Sequence, residues 1–169
     1  MKKIFFSIII SVFILSCGTN KNKSTKGFSK EYKPSILEHI TGIELTANFA
    51  ECGEWGGHKE TFEIFRDDNY SSFALFTKDS VDCSKIDDKN REIKETKIIK
   101  LTKKNEILIS KYLSKLLKSR LKTFNISNGG SNYTAVMKDS TMILKYYHGL
   151  GNWKEFEKLR NELKKENSK

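Results

Sequence analysis

Residues 133–147 read Tyr133-Thr134-Ala135-Val136-Met137-Lys138-Asp139-Ser140-Thr141-Met142-Ile143-Leu144-Lys145-Tyr146-Tyr147. Folding this stretch about residues 138–141 sets Met137 opposite Met142, Ala135 opposite Leu144 and Tyr133 opposite Tyr146. All six side chains then point to one side, because successive residues of a strand alternate between faces. Thr134, Val136, Lys138, Thr141, Ile143 and Lys145 fall on the other side. A slip of one residue would turn the whole apolar set over, so the stretch specifies one hairpin register. A hairpin with one apolar face needs a second layer to cover it.

The pattern extends outward from this hairpin in both directions. On the C-terminal side Gly149 and Gly151 turn the chain, and Asn152 is an N-cap residue type. Trp153, Phe156, Leu159 and Leu163 then recur at helical spacing. On the N-terminal side Asn128-Gly129-Gly130 breaks the chain. Before that break Thr102 precedes a second helical stripe of Ile109, Leu113, Leu116 and Leu117. Tyr112 lies beside the stripe, and Lys111, Lys115 and Lys118 face away. Further upstream the period changes to two. Ile43, Leu45, Ala47 and Phe49 alternate with Glu44, Thr46, Asn48 and Ala50. Residues 58–66 and 70–77 form the next two strands. A two-residue turn at Asp68-Asn69 pairs Ile64 with Phe73 and Phe62 with Leu75, and sends Phe65 and Phe76 to the opposite face. Residues 92–101 form a weaker strand whose lysines suit a sheet edge. Hairpins with segregated helices give an α+β fold: an antiparallel sheet of five to six strands with two helices packed on one face.

Lys2 and Lys3 precede residues 4–15, twelve residues that are apolar except for Ser7 and Ser11. Twelve residues are too few for a helix to cross a hydrocarbon core of about 30 Å, and they suit a signal-peptide apolar region. The run ends in Ile14-Leu15-Ser16-Cys17. This resembles the lipobox of bacterial lipoprotein precursors over residues 1–17, with Leu15 where that family more often has a small residue. The resemblance implies diacylglycerol on the Cys17 sulfur, cleavage before Cys17 and acylation of the new amine. Two or more acyl chains hold a protein on a bilayer where one does not. Gly18, not Asp, follows the cysteine, which by the same resemblance points to the outer membrane. The other reading is an ordinary cleaved leader, or a buried helix, with a coincidental cysteine. The expected organisation is a leader at residues 1–16, a lipidated cysteine and flexible tether at 17–34, and a single α+β domain at 35–169. The tether is rich in Lys, Asn, Ser, Thr and Gly and reaches about 20–25 Å as a coil.

The chain has 31 Lys and Arg against 21 Asp and Glu, a formal charge of +10. Behind an export leader that charge points to an anionic surface or an acidic protein, not to nucleic acid. A Lys-rich solvated surface would give the same number. With Cys17 acylated, Cys52 and Cys83 remain as a pair in an oxidising compartment, which predicts a disulfide. Two free buried thiols are the alternative.

Residues 51–58, Glu51-Cys52-Gly53-Glu54-Trp55-Gly56-Gly57-His58, join the first two strands. The connection is longer than the usual hairpin loop and holds three glycines around a tryptophan. The candidate binding loop of Glu51, Glu54, Trp55, Gly56, Gly57 and His58 either presents Trp55 and Glu54 to a ligand or partner, held in shape by Cys52, or folds back so that Trp55 caps the core. His58 and Glu60 share a strand face and could meet a metal, but no ligand motif accompanies them, so no metal or cofactor is expected. No nucleophile elbow, phosphate loop, zinc-protease or dinucleotide motif is present, and no catalytic residue is assigned. Asp79-Ser80-Val81 and Asp139-Ser140-Thr141 resemble an O-glycosylation acceptor of some Gram-negative envelope proteins, and both are expected in loops.

These observations predict a lipid-anchored, periplasm-facing envelope protein that binds another protein or serves as an accessory module without chemistry of its own. The alternative is an inhibitor or immunity-type protein against an acidic enzyme. A small hydrolase or metal-binding protein ranks lower.

Overall fold

The computed structural model describes residues 42–53, 57–84, 91–122, 130–149 and 151–165. The leader, Cys17 and the tether lie outside the described residues, as do Glu54, Trp55 and Gly56. The described chain has six strands and two helices: β1 (Ile43–Asn48), β2 (Lys59–Arg66), β3 (Ser72–Ser80), β4 (Glu92–Lys100), α1 (Lys103–Lys122), β5 (Asn132–Met137), β6 (Ile143–Tyr147) and α2 (Lys154–Lys165). The strands form one antiparallel sheet in the order β4-β3-β2-β1-β5-β6. This is the expected α+β class. β1 lies between β2 and β5, and α1 carries the chain from the β4 edge across to β5.

The hairpin read first has the predicted register. Tyr133 faces Tyr146, Ala135 faces Leu144, and the Met137 N–H donates to the Met142 carbonyl. The β2–β3 hairpin differs from the expectation by one residue: Phe65 faces Phe73, Ile64 faces Ala74 and Phe62 faces Phe76. The cause is the turn. Asp67 pairs with Ser71 and the Tyr70 N–H donates to the Asp67 carbonyl, so three residues, 68–70, make the connection. Tyr70 takes φ 59° at its end, the geometry of a type I turn closed by a left-handed residue. One added residue turns β3 over. Phe76 therefore points into the core, and Phe73 and Leu75 join Phe65 on the outer face.

Both helices cover the same sheet face. Ile43, Leu45, Phe62, Phe76 and Tyr133 from the sheet meet Ile109, Leu113 and Leu116 of α1 and Phe156, Leu159 and Leu163 of α2 in one buried cluster. Each such side chain contributes about 1.5–3 kcal/mol by leaving water. The α1 stripe is rotated from the predicted one: Tyr112 is buried, and Leu117 is 44% exposed. α1 starts with a reciprocal cap. The Asn105 N–H donates to Thr102 Oγ1, and the Thr102 N–H donates to Asn105 Oδ1, the logic of a capping box with Asn in place of Glu. Asn152 does not cap α2. The Trp153 carbonyl accepts the first helical bonds, while the Asn152 amide donates to Glu157. The Trp153 N–H is satisfied by the Tyr133 hydroxyl at 2.7 Å, which ties the start of α2 to β5.

Candidate functional site

The base of the 51–58 loop is fixed from several directions. Phe49 and His58 continue the β1–β2 pairing through the Phe49 N–H and the His58 carbonyl. Gly57 fits because a Cβ there would lie 2.3 Å from the Phe49 carbonyl oxygen. The Arg91 guanidinium donates to the Gly57 carbonyl and to Asp79. The predicted disulfide is present, joining Cys52 to Cys83 with Cα atoms 5.4 Å apart. Both ends of the loop are thus anchored to β3 and to the segment before β4. Its tip, with Glu54, Trp55 and Gly56, lies outside the described residues.

His58 is buried, and the more exposed Glu51 closes over it. His58 Nδ1 lies 2.7 Å from Glu51 Oε2, which also accepts the His58 backbone N–H. Burial acts to raise the Glu51 pKa, but the His58 side-chain and backbone bonds outweigh it, and the carboxyl sits below its ordinary value. The His58 ring stacks on Phe49 at 4.2 Å between centroids. Its Nε2 reaches Glu60 Oε1 at 3.3 Å.

Glu60, on β2, is 1% exposed, and sequence reasoning missed its role. Arg160 of α2 donates one nitrogen to both of its oxygens, at 2.9 and 3.0 Å, and Lys78 approaches to 3.4 Å. His58 and Glu60 do share a face as expected, yet the cationic neighbours occupy the carboxylate that a metal would need. Among the described residues no group of three or more His, Cys, Asp or Glu side chains is placed to hold a metal ion. His148 lies apart from this cluster, with Nδ1 2.9 Å from the Tyr146 hydroxyl. A groove of about 320 Å³ opens elsewhere, at the N-terminal end of α1, where neither His58 nor His148 lines it.

The other feature is the sheet face that bears no described helix. Phe65 and Phe73 stack there with centroids 5.9 Å apart. Ile98, Leu75, Glu63, Glu44, Val136 and Ile143 lie on one rung across the six strands. Ile98 and Ile143, at opposite edges, are each 65% exposed. In the centre Lys138 pairs with Glu63 and Lys59 approaches Glu44. The next rung is Thr96, Thr77, Thr61, Thr46 and Thr134. Tyr70 stands at the β2–β3 turn, 83% exposed. A tyrosine in the left-handed region carries a backbone cost of about 1–2 kcal/mol. Sequence reasoning placed Phe65 on this face correctly, misassigned Phe76 to it, and had no signal for Tyr70 beyond an aromatic residue directly after Asp-Asn.

The two three-residue glycosylation matches separate. Asp139-Ser140-Thr141 sits in the exposed β5–β6 turn. Asp79 and Ser80 lie in β3, not in a loop, where Asp79 accepts the Lys59 N–H. No family model, curated protein or solved structure matches this chain.

Proposed function

We propose that this chain is a lipid-anchored envelope protein that acts by binding another protein through the helix-free face of its sheet, with no chemistry of its own. One observation carries the reading: both described helices lie on one face, and the opposite face gathers Phe65, Phe73, Leu75, Ile98, Val136 and Ile143 beside Tyr70. Protein interfaces join aromatic and aliphatic anchors to polar, hydrated surroundings, and the threonine rung and the Glu44 and Glu63 pairs supply the latter. The two central carboxylates disfavour an anionic bilayer on this face. The fixed base of the 51–58 loop supports a second contact at the opposite end of the sheet from Tyr70.

The test is a crosslinking pull-down from native envelope with wild type beside Tyr70→Ser/Ile98→Lys. Both positions are exposed, so the variant keeps its fold. A discrete protein recovered with wild type and lost with the variant supports the reading. Equal recovery with both proteins, or no specific protein with either, would overturn it. The anchor has its own check in the mass of the membrane-extracted protein, which should match an acylated Cys17 at a new N-terminus.

A further inference from the structure

Among the described helices and strands, α1 carries the largest net positive charge. α1 carries Lys103, Lys104, Lys111, Lys115, Lys118, Arg120 and Lys122 against a single acidic residue, Glu106. Glu106 turns inward, where its carboxylate accepts the Ser72 hydroxyl at 2.8 Å and meets Lys103. The outer face of α1 therefore has no acid of its own. Lys104, Lys111 and Lys118 recur every seven residues, and so do Lys115 and Lys122. Seven residues are about two turns, so the two rows lie along one side of the helix and together span about 27 Å, from Lys104 to Lys122. All five lysines are exposed.

Beside these rows runs a third, made of Ile107, Ser114 and Leu121. Ile107 is 46% exposed and Leu121 is 70% exposed. Two acids of α2 come near: Glu155 pairs with Lys115, and Glu162 borders the groove that Lys103 and Lys111 also line. Lys111, Lys118 and Lys122 form no ion pair with any described residue. A lysine row with aliphatic side chains along its flank matches the interface of an anionic bilayer. The ammonium groups meet lipid phosphates, and the aliphatic groups enter the headgroup boundary.

We infer that the outer face of α1 docks on a membrane surface rich in anionic lipid, with phosphatidylglycerol as the representative headgroup. The inference rests on the envelope reading only for the presence of a bilayer; the contact itself follows from α1. It places lipid on the helix layer and protein on the opposite sheet face, so the two surfaces do not compete.

The test uses the full chain carrying Cys17→Ser, which removes the proposed acylation site. Binding is read by co-sedimentation with vesicles of phosphatidylcholine alone or with about one-third phosphatidylglycerol. The pure phosphatidylcholine arm reports any pull from the apolar residues 4–15. This Cys17→Ser chain, the wild type for the helix substitutions, should bind the anionic vesicles more tightly than the neutral ones, and should lose that preference at about 1 M salt. Each lysine near the surface accounts for about a fivefold change in affinity, so Lys111→Ser/Lys118→Ser/Lys122→Ser should weaken binding by about a hundredfold. Ile107→Ser/Leu121→Ser should weaken it further. These positions are exposed, and an unchanged thermal midpoint verifies the fold of each variant. Equal binding by wild type and the triple-lysine variant would overturn the inference. Equal binding of polyglutamate and anionic vesicles would also overturn it, by assigning the stripe to an acidic polypeptide. No preference of the Cys17→Ser chain for anionic over neutral vesicles, with partner capture by the sheet face retained, would refute the docking and leave the proposed function standing.

Discussion

Replacing Arg160 with Met should destabilise this protein more than its surface position in α2 suggests. Glu60 is 1% exposed, and the guanidinium contacts both of its oxygens, at 2.9 and 3.0 Å. Removing one partner of a buried pair costs about 3–5 kcal/mol, because the remaining charge stays out of water without compensation. Two partners survive the substitution, Lys78 at 3.4 Å and His58 at 3.3 Å. Their residual support brings the expected loss to about 2–3 kcal/mol. With a urea slope of about 1.5 kcal/mol/M, the unfolding midpoint falls by about 1.3–2 M. A second variant isolates the cause. Glu60→Leu/Arg160→Met removes both charges and should return to within about 1 kcal/mol of wild type, as apolar replacement of buried pairs often does. A loss below about 0.5 kcal/mol in Arg160→Met, or a double variant no better than the single one, would refute the reasoning.

Three further expectations follow from particular contacts. Tyr112 is buried and its hydroxyl finds no partner among the described residues; burial also pushes its ionisation far upward. Tyr112→Phe should therefore stabilise the protein by about 1–2 kcal/mol in thermal or urea unfolding, and a loss of stability would contradict this. Cys52→Ala/Cys83→Ala opens a loop with a sequence separation of 31 and should cost about 3–4 kcal/mol; native protein whose two cysteines alkylate freely would show that no bridge forms. Gly57→Ala drives a Cβ to 2.3 Å from the Phe49 carbonyl oxygen and should cost about 2–3 kcal/mol, whereas an unchanged urea midpoint would show that the loop base is not close-packed.

The legible parts of this fold were those in which one local pattern admits one answer. The β5–β6 register could be read because only one pairing keeps Met137, Ala135 and Tyr133 on the same side as Met142, Leu144 and Tyr146. The β2–β3 register could not, because Asp68-Asn69 suggests a two-residue turn. The left-handed third residue there is Tyr70, not the glycine or asparagine that normally announces the position. That single residue exchanged Phe76 for Phe73 on the outer face and so changed the candidate surface. On α1 the choice between Leu117 and Tyr112 for the buried side turned on a rotation of the helix against its neighbours. It was fixed by Trp153 and Phe156, whose rings flank Tyr112. The disulfide followed from counting cysteines. The contact of Glu60 with Arg160 joins residues 100 apart in sequence, and no local spacing reports it.

The most direct measurement is site-specific photocrosslinking in the native envelope, with the photoreactive residue at position 70, 98 or 111. The account predicts one discrete protein adduct from position 98 on the sheet face and position 70 at the β2–β3 turn, and lipid adducts without that protein from position 111 on α1. No protein adduct from either sheet-side position, or the same adduct from all three, would contradict it.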